Sequence, residues 1–180
     1  VACNRYHDRL FAMGFNEAAG NYQTLNLTGQ GVGGDAVRAE AMDGSGTNNA
    51  NWSSTGADGS TARTQMYIFT GPSPQRNGTL DNDVVYHELS HGLSIRLHNG
   101  LTGVQSRSMG EGWSDFYGTC LNAEPTDDFN GIYTTGGWVT RQFLSATFLT
   151  NYYYGIRRFP YSTDMLKNPW TCPSTQRCLT

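Results

Sequence analysis

Two runs of this chain explain one another: Tyr86-His87-Glu88-Leu89-Ser90-His91-Gly92-Leu93-Ser94 and, twenty residues past His91, Glu111-Gly112-Trp113-Ser114-Asp115. Histidines four positions apart on a helix stand one above the other on the same face. Their ring nitrogens then converge on one metal ion. A catalytic zinc takes three protein ligands and keeps one position open for water, and Glu111 is the candidate third ligand beside His87 and His91. Asp115 follows Glu111 by one helical turn, so it is placed to accept the second N–H of a ligand histidine and hold its tautomer. Glu88, one residue off the ligand face, is the candidate general base for a metal-activated water. A buried amphipathic helix with two satisfied histidines is the plainer alternative. It leaves Glu88 without a purpose, since a carboxylate in an apolar stretch between Tyr86 and Leu89 is costly to bury unpaired.

Working outward from the first run, the sequence predicts that Asp81 or Asp83 caps a helix whose apolar face carries Val84, Val85, Leu89, Leu93 and Ile95. Asn99-Gly100 would end it. Residues 100–109 read as a polar loop and Met109 to Ala123 as a second helix. Residues 138–154 read as a third, with Trp138, Phe143, Leu144, Phe148, Leu149 and Tyr152 as a packing stripe. Upstream, residues 5–15 have helical spacing between polar positions. Val37–Ala41 and, more clearly, Gln65-Met66-Tyr67-Ile68-Phe69 have strand character, the latter ended by Gly71-Pro72. Glycines at 29, 31 and 33 suggest a phosphate loop only superficially: no apolar strand leads in and no Lys-Ser/Thr follows, so turns are the better reading. The tail from Phe159 has no clear period.

Composition narrows the function classes. The formal charge is −3, and one lysine, Lys167, stands among eleven arginines; no basic patch or nucleic-acid motif is visible, which argues against a nucleic-acid partner. No apolar run approaches the length needed to span a bilayer. Charged residues make up only 15% of the chain, while Gly, Asn, Thr and Ser are plentiful, a balance that suits an extracellular protein. Sequons begin at Asn26, Asn51 and Asn77. The four cysteines permit three pairings. Cys172 with Cys178, around a short loop, and Cys3 with Cys120 are expected as structural disulfides of an oxidising compartment.

With these residues in place, the chain resembles the fungalysin group of secreted metallopeptidases, within the gluzincins that share the thermolysin fold. The resemblance rests on the 86–94 run and on Met109-Gly110-Glu111-Gly112-Trp113-Ser114-Asp115-Phe116. It extends to Gly14-Phe15-Asn16-Glu17-Ala18-Ala19-Gly20-Asn21, to Asp43-Gly44-Ser45-Gly46-Thr47-Asn48-Asn49-Ala50-Asn51 and to Arg157-Arg158-Phe159-Pro160-Tyr161-Ser162-Thr163-Asp164. It implies His87, His91 and Glu111 as ligands of one zinc, Glu88 as base and Asp115 behind a ligand histidine. It also implies Asn49 and Ala50 on an edge strand that pairs with substrate backbone, and Arg157 or Arg158 as a donor to a substrate carbonyl. The implied protein is a secreted, monomeric endopeptidase made as a zymogen with its own N-terminal prosegment. Two features depart from the pattern. Residues 92–110 lack the tyrosine that helps bind the oxyanion in thermolysin, and a further transition-state histidine would lie downstream of Thr180. The chain therefore reads as a fragment, poorly active alone.

The expected fold is α+β, a thermolysin-like zincin. An irregular antiparallel sheet lobe with the zinc helix would occupy residues 1–98, and an incomplete helical lobe residues 99–180. Two rivals are a remnant that binds metal or peptide without turnover, which has no use for Glu88, and a structural zinc domain, which is normally closed by four protein ligands. Calcium is without support. Asp83, Asp127 and Asp128 are available oxygen ligands, but caps and turns account for them better.

Overall fold

The computed structural model describes residues 1–98, 101–140 and 154–169. Helix α1 spans Ala2–Ala12 and buries Tyr6 and Leu10, one turn apart, against the later helices. It begins three residues earlier than the periodicity predicts, and Phe15 packs back on the core from beyond its end. Strands β1 (Arg38–Glu40), β2 (Ala50–Ser53) and β3 (Arg63–Met66) form one sheet in the order β1-β3-β2. β2 runs antiparallel to β3, but β1 runs parallel to it, so the irregular antiparallel sheet expected here is a mixed one. The chain reverses direction twice between β1 and β3, in the loops before and after β2, which returns β3 to the direction of β1.

The single strand predicted over residues 65–69 is two. β4 (Ile68–Phe69) leaves β3's partners and pairs with β5 (Arg76–Asn77). The break falls at Tyr67, whose N–H donates to Asn49 O at 3.3 Å and whose carbonyl accepts from Gly78 N at 3.0 Å.

Helix α2 (Asn82–His98) is the structural axis. Asp81 caps it, with Oδ1 accepting from Asp83 N at 3.1 Å, so of the two candidates Asp81 is the cap. Val84, Val85, Leu89 and Leu93 are buried in one cluster with Tyr6, Leu10, Ala50, Met66, Phe69, Tyr86 and Val139. Ile95 instead lines a cleft. Helix α3 (Val104–Asn122) packs along α2. It starts five residues before the predicted Met109, because the serines of the supposed loop satisfy backbone groups. Ser106 Oγ accepts from Gly103 N and donates to Gly103 O, both at 2.9 Å, and Ser108 Oγ donates to Val104 O. The helices approach closely at Gly118, where a Cβ would lie 3.3 Å from Asp83 O and 3.9 Å from His87 N. Helix α4 (Gly137–Thr140) opens the predicted third helix and buries Val139; residues 141–153 of that prediction lie outside the described residues. Trp138 is half-exposed, with the Arg76 guanidinium over its ring at 4.6 Å.

The expected Cys3–Cys120 disulfide is absent; both thiols are free. Cys3 sits on α1 and Cys120 on α3, and α2 packs against each of these helices in turn. Cys172 and Cys178 lie outside the described residues.

Two polar networks tie the loops to this frame. Glu17, buried in the middle of the 14–21 run, accepts from Gln23 Nε2, Leu27 N and Thr28 N at 2.7 Å each, and from the Thr28 hydroxyl. Arg96, on the last turn of α2, reaches Asp35 Oδ2 through Nη1 at 3.0 Å and Nη2 at 3.1 Å, and Asp58 Oδ1 at 3.0 Å. It also donates to Gly20 O and Ser60 O and lies 3.9 Å from the Tyr22 ring centre.

Candidate metal centre

The close α2–α3 packing sets the geometry of the site. His87 and His91 stand one turn apart on α2, with ring centres 4.7 Å apart. From α3, Glu111 presents one oxygen to each: Oε2 lies 3.3 Å from His87 Nε2 and Oε1 lies 3.4 Å from His91 Nε2. Both Nε2 atoms face the same side because both Nδ1 atoms are occupied behind. His87 Nδ1 donates to Asp115 Oδ1 at 2.6 Å, and His91 Nδ1 is 3.3 Å from Ser114 Oγ. An acceptor on the rear nitrogen leaves the front one with a free lone pair, the state a metal ligand needs. Ligand atoms of His87, Glu88 and His91 also lie within 4.8 Å of one another. Two carboxylates therefore reach the pair from different sides, and they differ in setting. Glu88 is 7% exposed, whereas the Glu111 side chain is about half exposed on the cleft and straddles both Nε2 atoms.

The electrostatics follow from these contacts. Burial pushes the Glu88 carboxyl up to about 7; His87 opposes the rise and Glu111 adds to it. Hydrogen bonding to His87 holds the Glu111 carboxyl below its usual range. Burial alone would lower His87, but Asp115 and then Glu111 reverse this and raise it. Burial and the neighbouring His87 lower His91. The donor set of two neutral-capable imidazoles and a low-pKa carboxylate fits a divalent cation of the zinc type, so the residues present suit the implied metal.

A cleft of about 490 Å³ opens over these groups. Its lining includes Asn49, Ala50 and Trp52 of the β2 region, Glu111 of α3, and Arg157. Among the described residues β2 has a free outer edge; Ala50 is its first residue, whereas Asn49 lies just before it. Asn49 is exposed and Ala50 buried. Arg157 lies on the cleft and clamps Asp115: Nε donates to Oδ2 at 2.5 Å and Nη2 to Oδ1 at 2.7 Å. Arg158 is exposed and outside the cleft lining. His7 hydrogen-bonds Gln23 and Asn21, and exposed His98 stacks on Trp113 at 5.2 Å, so neither joins the site. The three aspartates weighed for calcium serve local structure. Asp83 accepts from Asn122 Nδ2 and Gly136 N, Asp127 from Glu124 N, and Asp128 from Asn130 N.

Sequence reasoning missed three participants. Ser114 had a readable signal, standing three residues after Glu111 on the same helix face. Tyr161, whose hydroxyl donates to Asp115 Oδ2 at 2.6 Å, and Gly92, where a Cβ would lie 2.4 Å from Trp52 Cζ2, had none.

Comparison with known proteins agrees with this geometry. A family profile described as fungalysin metallopeptidase (M36) matches residues 1–179. The chain is 44% identical over 173 residues to Extracellular metalloproteinase 3 of Trichophyton soudanense, covering 93% of this chain and 41% of that protein. It is 44% identical over 174 residues to Extracellular metalloproteinase MEP of Fusarium vanettenii (93% and 26%). It is 42% identical over 182 residues to Extracellular metalloproteinase 10 of Coccidioides posadasii (98% and 27%). The chain thus spans between about a quarter and two fifths of the length of these relatives. With a match along essentially its whole length and two helices that carry the paired histidines and the facing glutamate, the chain belongs to the fungalysin metallopeptidase (M36) family.

Proposed function

We propose that this chain forms the metal-binding centre of a secreted zinc endopeptidase with a thermolysin-like arrangement. Residues 1–98 form its N-terminal lobe and residues 99 onward begin its helical lobe. The observation that carries this reading is the placement of the two Glu111 oxygens opposite the two front-facing histidine nitrogens, with buried Glu88 beside them. His87, His91 and Glu111 hold the metal, and Asp115 orients His87. When bound, a zinc ion supplies Lewis acidity to the scissile carbonyl and acidifies a water. Glu88 takes the proton of the attacking water and passes it to the leaving amine nitrogen. Burial supports this role, because a carboxyl held near neutrality both accepts and returns a proton. The Arg157 guanidinium, on the cleft wall, donates to a peptide carbonyl.

The substrate is an extended polypeptide laid along the free edge of β2, bound through its main chain and so tolerant of many side chains. Secretion follows the relatives, which are named extracellular metalloproteinases. The precursor carries its own N-terminal prosegment, and the enzyme acts as a monomer. The test uses the intact protein with an unfolded protein substrate. Cleavage should stop when a chelator removes the metal and return on adding back zinc. Chelator-resistant cleavage would overturn the metal assignment, and tight zinc binding without any cleavage would favour a binding remnant.

A second expectation concerns the distance between the edge strand and the metal helix. Gly92 lets the Trp52 ring lie directly on α2, and Trp52 belongs to β2. Gly92→Ala forces the ring and its strand outward, and overpacking of this kind costs about 1–3 kcal/mol. The peptide KM should rise while zinc affinity stays unchanged. An alanine variant with unaltered KM and unaltered denaturation midpoint would show that the strand position does not depend on this contact.

A further inference from the structure

Four donors converge on the Asp115 carboxylate, which is 2% exposed. Oδ1 accepts from His87 Nδ1 and Arg157 Nη2, and Oδ2 accepts from Arg157 Nε and the Tyr161 hydroxyl. These donors are not equivalent. Arg157 lines the cleft, and its Nη2 also lies 3.4 Å from Glu111 Oε2, so its N–H groups are shared among Asp115, Glu111 and any carbonyl entering the cleft. Tyr161 is outside the cleft lining and is held by its own backbone. Its N donates to Tyr133 O at 2.7 Å and its carbonyl accepts from Tyr133 N at 3.0 Å. The preceding Pro160 is fully buried, with its carbonyl accepting from Asn168 Nδ2. The Tyr161 hydroxyl is thus a fixed donor on the oxygen that does not face His87.

We infer that Tyr161 is a positioning residue of the metal centre: it pins Asp115 Oδ2, so that Oδ1 stays on His87 Nδ1 while Arg157 is drawn toward the cleft. Without the hydroxyl, Oδ2 is held by Arg157 Nε alone, and a carboxylate fixed there by a shared arginine is free to rotate about its terminal bond. Its grip on the imidazole loosens each time the arginine turns to another acceptor. The hydroxyl removes that freedom, and it does so from a backbone bridge whose two residues lie outside the cleft lining. The inference rests on the reading of His87 as a metal ligand.

The experiment is a double-mutant cycle in the intact protein with Tyr161→Phe and Asp115→Asn. It reads the zinc dissociation constant by competition with a chelator of known affinity, together with the melting temperature. Phenylalanine keeps the ring and the backbone bridge to Tyr133, so the fold is retained. Loss of a partner behind a metal ligand typically weakens metal binding 10–100-fold, and Tyr161→Phe should sit near the lower end, roughly 10-fold. In the Asp115→Asn background the same substitution should weaken zinc no further. Equal weakening in both backgrounds would mean that the hydroxyl acts through general structure rather than through Asp115. Unchanged affinity in Tyr161→Phe, with the parent binding zinc tightly, would overturn the inference alone. A parent protein that binds no zinc would overturn the reading of the site as well.

Discussion

Replacing Glu88 with glutamine should leave zinc bound near one ion per chain while peptide cleavage falls by about 10²–10⁴-fold, the usual contribution of a positioned general base. The separation is possible because the two carboxylates of the site have different surroundings. Glu111 faces both Nε2 atoms and is half exposed, whereas Glu88 is buried on the neighbouring face of α2. Glutamine has nearly the same shape and carries no charge into that buried position, so the fold should be at least as stable as the parent. Removing Glu111 as alanine should have the opposite signature, with metal affinity lost first and activity following it. Activity assays alone do not tell the two variants apart; metal content measured alongside does. A Glu88→Gln enzyme cleaving at close to the parent rate would overturn the mechanism, and one lacking zinc would exchange the roles of the two glutamates.

The second large effect is on stability and lies away from the chemistry. Arg96→Ala strips the guanidinium from Asp35, which is fully buried and otherwise accepts, among the described residues, from Gln23 N and Gly59 N. Breaking a buried pair by removing one partner costs about 3–5 kcal/mol, chiefly because the remaining charge stays buried. For a domain of this size that corresponds to a fall of roughly 10 °C in Tm. The loss should exceed that of an exposed pair such as Arg63 with Glu40, where solvent screens the interaction. Adding Asp35→Asn to Arg96→Ala should recover part of the stability, since the uncompensated charge disappears. If Arg96→Ala melts within a degree or two of the parent, the network does not hold the 20–35 and 56–60 loops to the metal helix.

Much of the site was legible in the chain because helical periodicity is a local property. The residues at 87, 88 and 91 fall on known faces of one helix, and 111, 114 and 115 on one face of the next, so only the packing of two neighbouring helices stood between spacing and geometry. The mixed helix and sheet content and the strand character of 65–69 were readable for the same reason. The errors arose where a local signal met a nonlocal partner. Serines at 106 and 108 read as loop residues, yet they satisfy backbone groups within α3. One apolar run over 65–69 divides at Tyr67 because its halves find different partner strands. The pairing of Cys3 with Cys120 follows from elimination along the chain, yet both thiols are free on helices that each pack against α2.

The sequence by itself determined which side chains could form a metal centre and which glutamate stood on which face, since both follow from the helical repeat. Only the tertiary structure decided what stands behind them. Tyr161 reaches Asp115 across forty-six residues, and Arg96 reaches Asp35 across sixty-one. Trp52, on strand β2, settles on Gly92 of helix α2. No local periodicity encodes such contacts. They exist because packing α1, α3 and the small sheet around α2 leaves buried polar groups whose hydrogen bonds must be completed from wherever the chain returns.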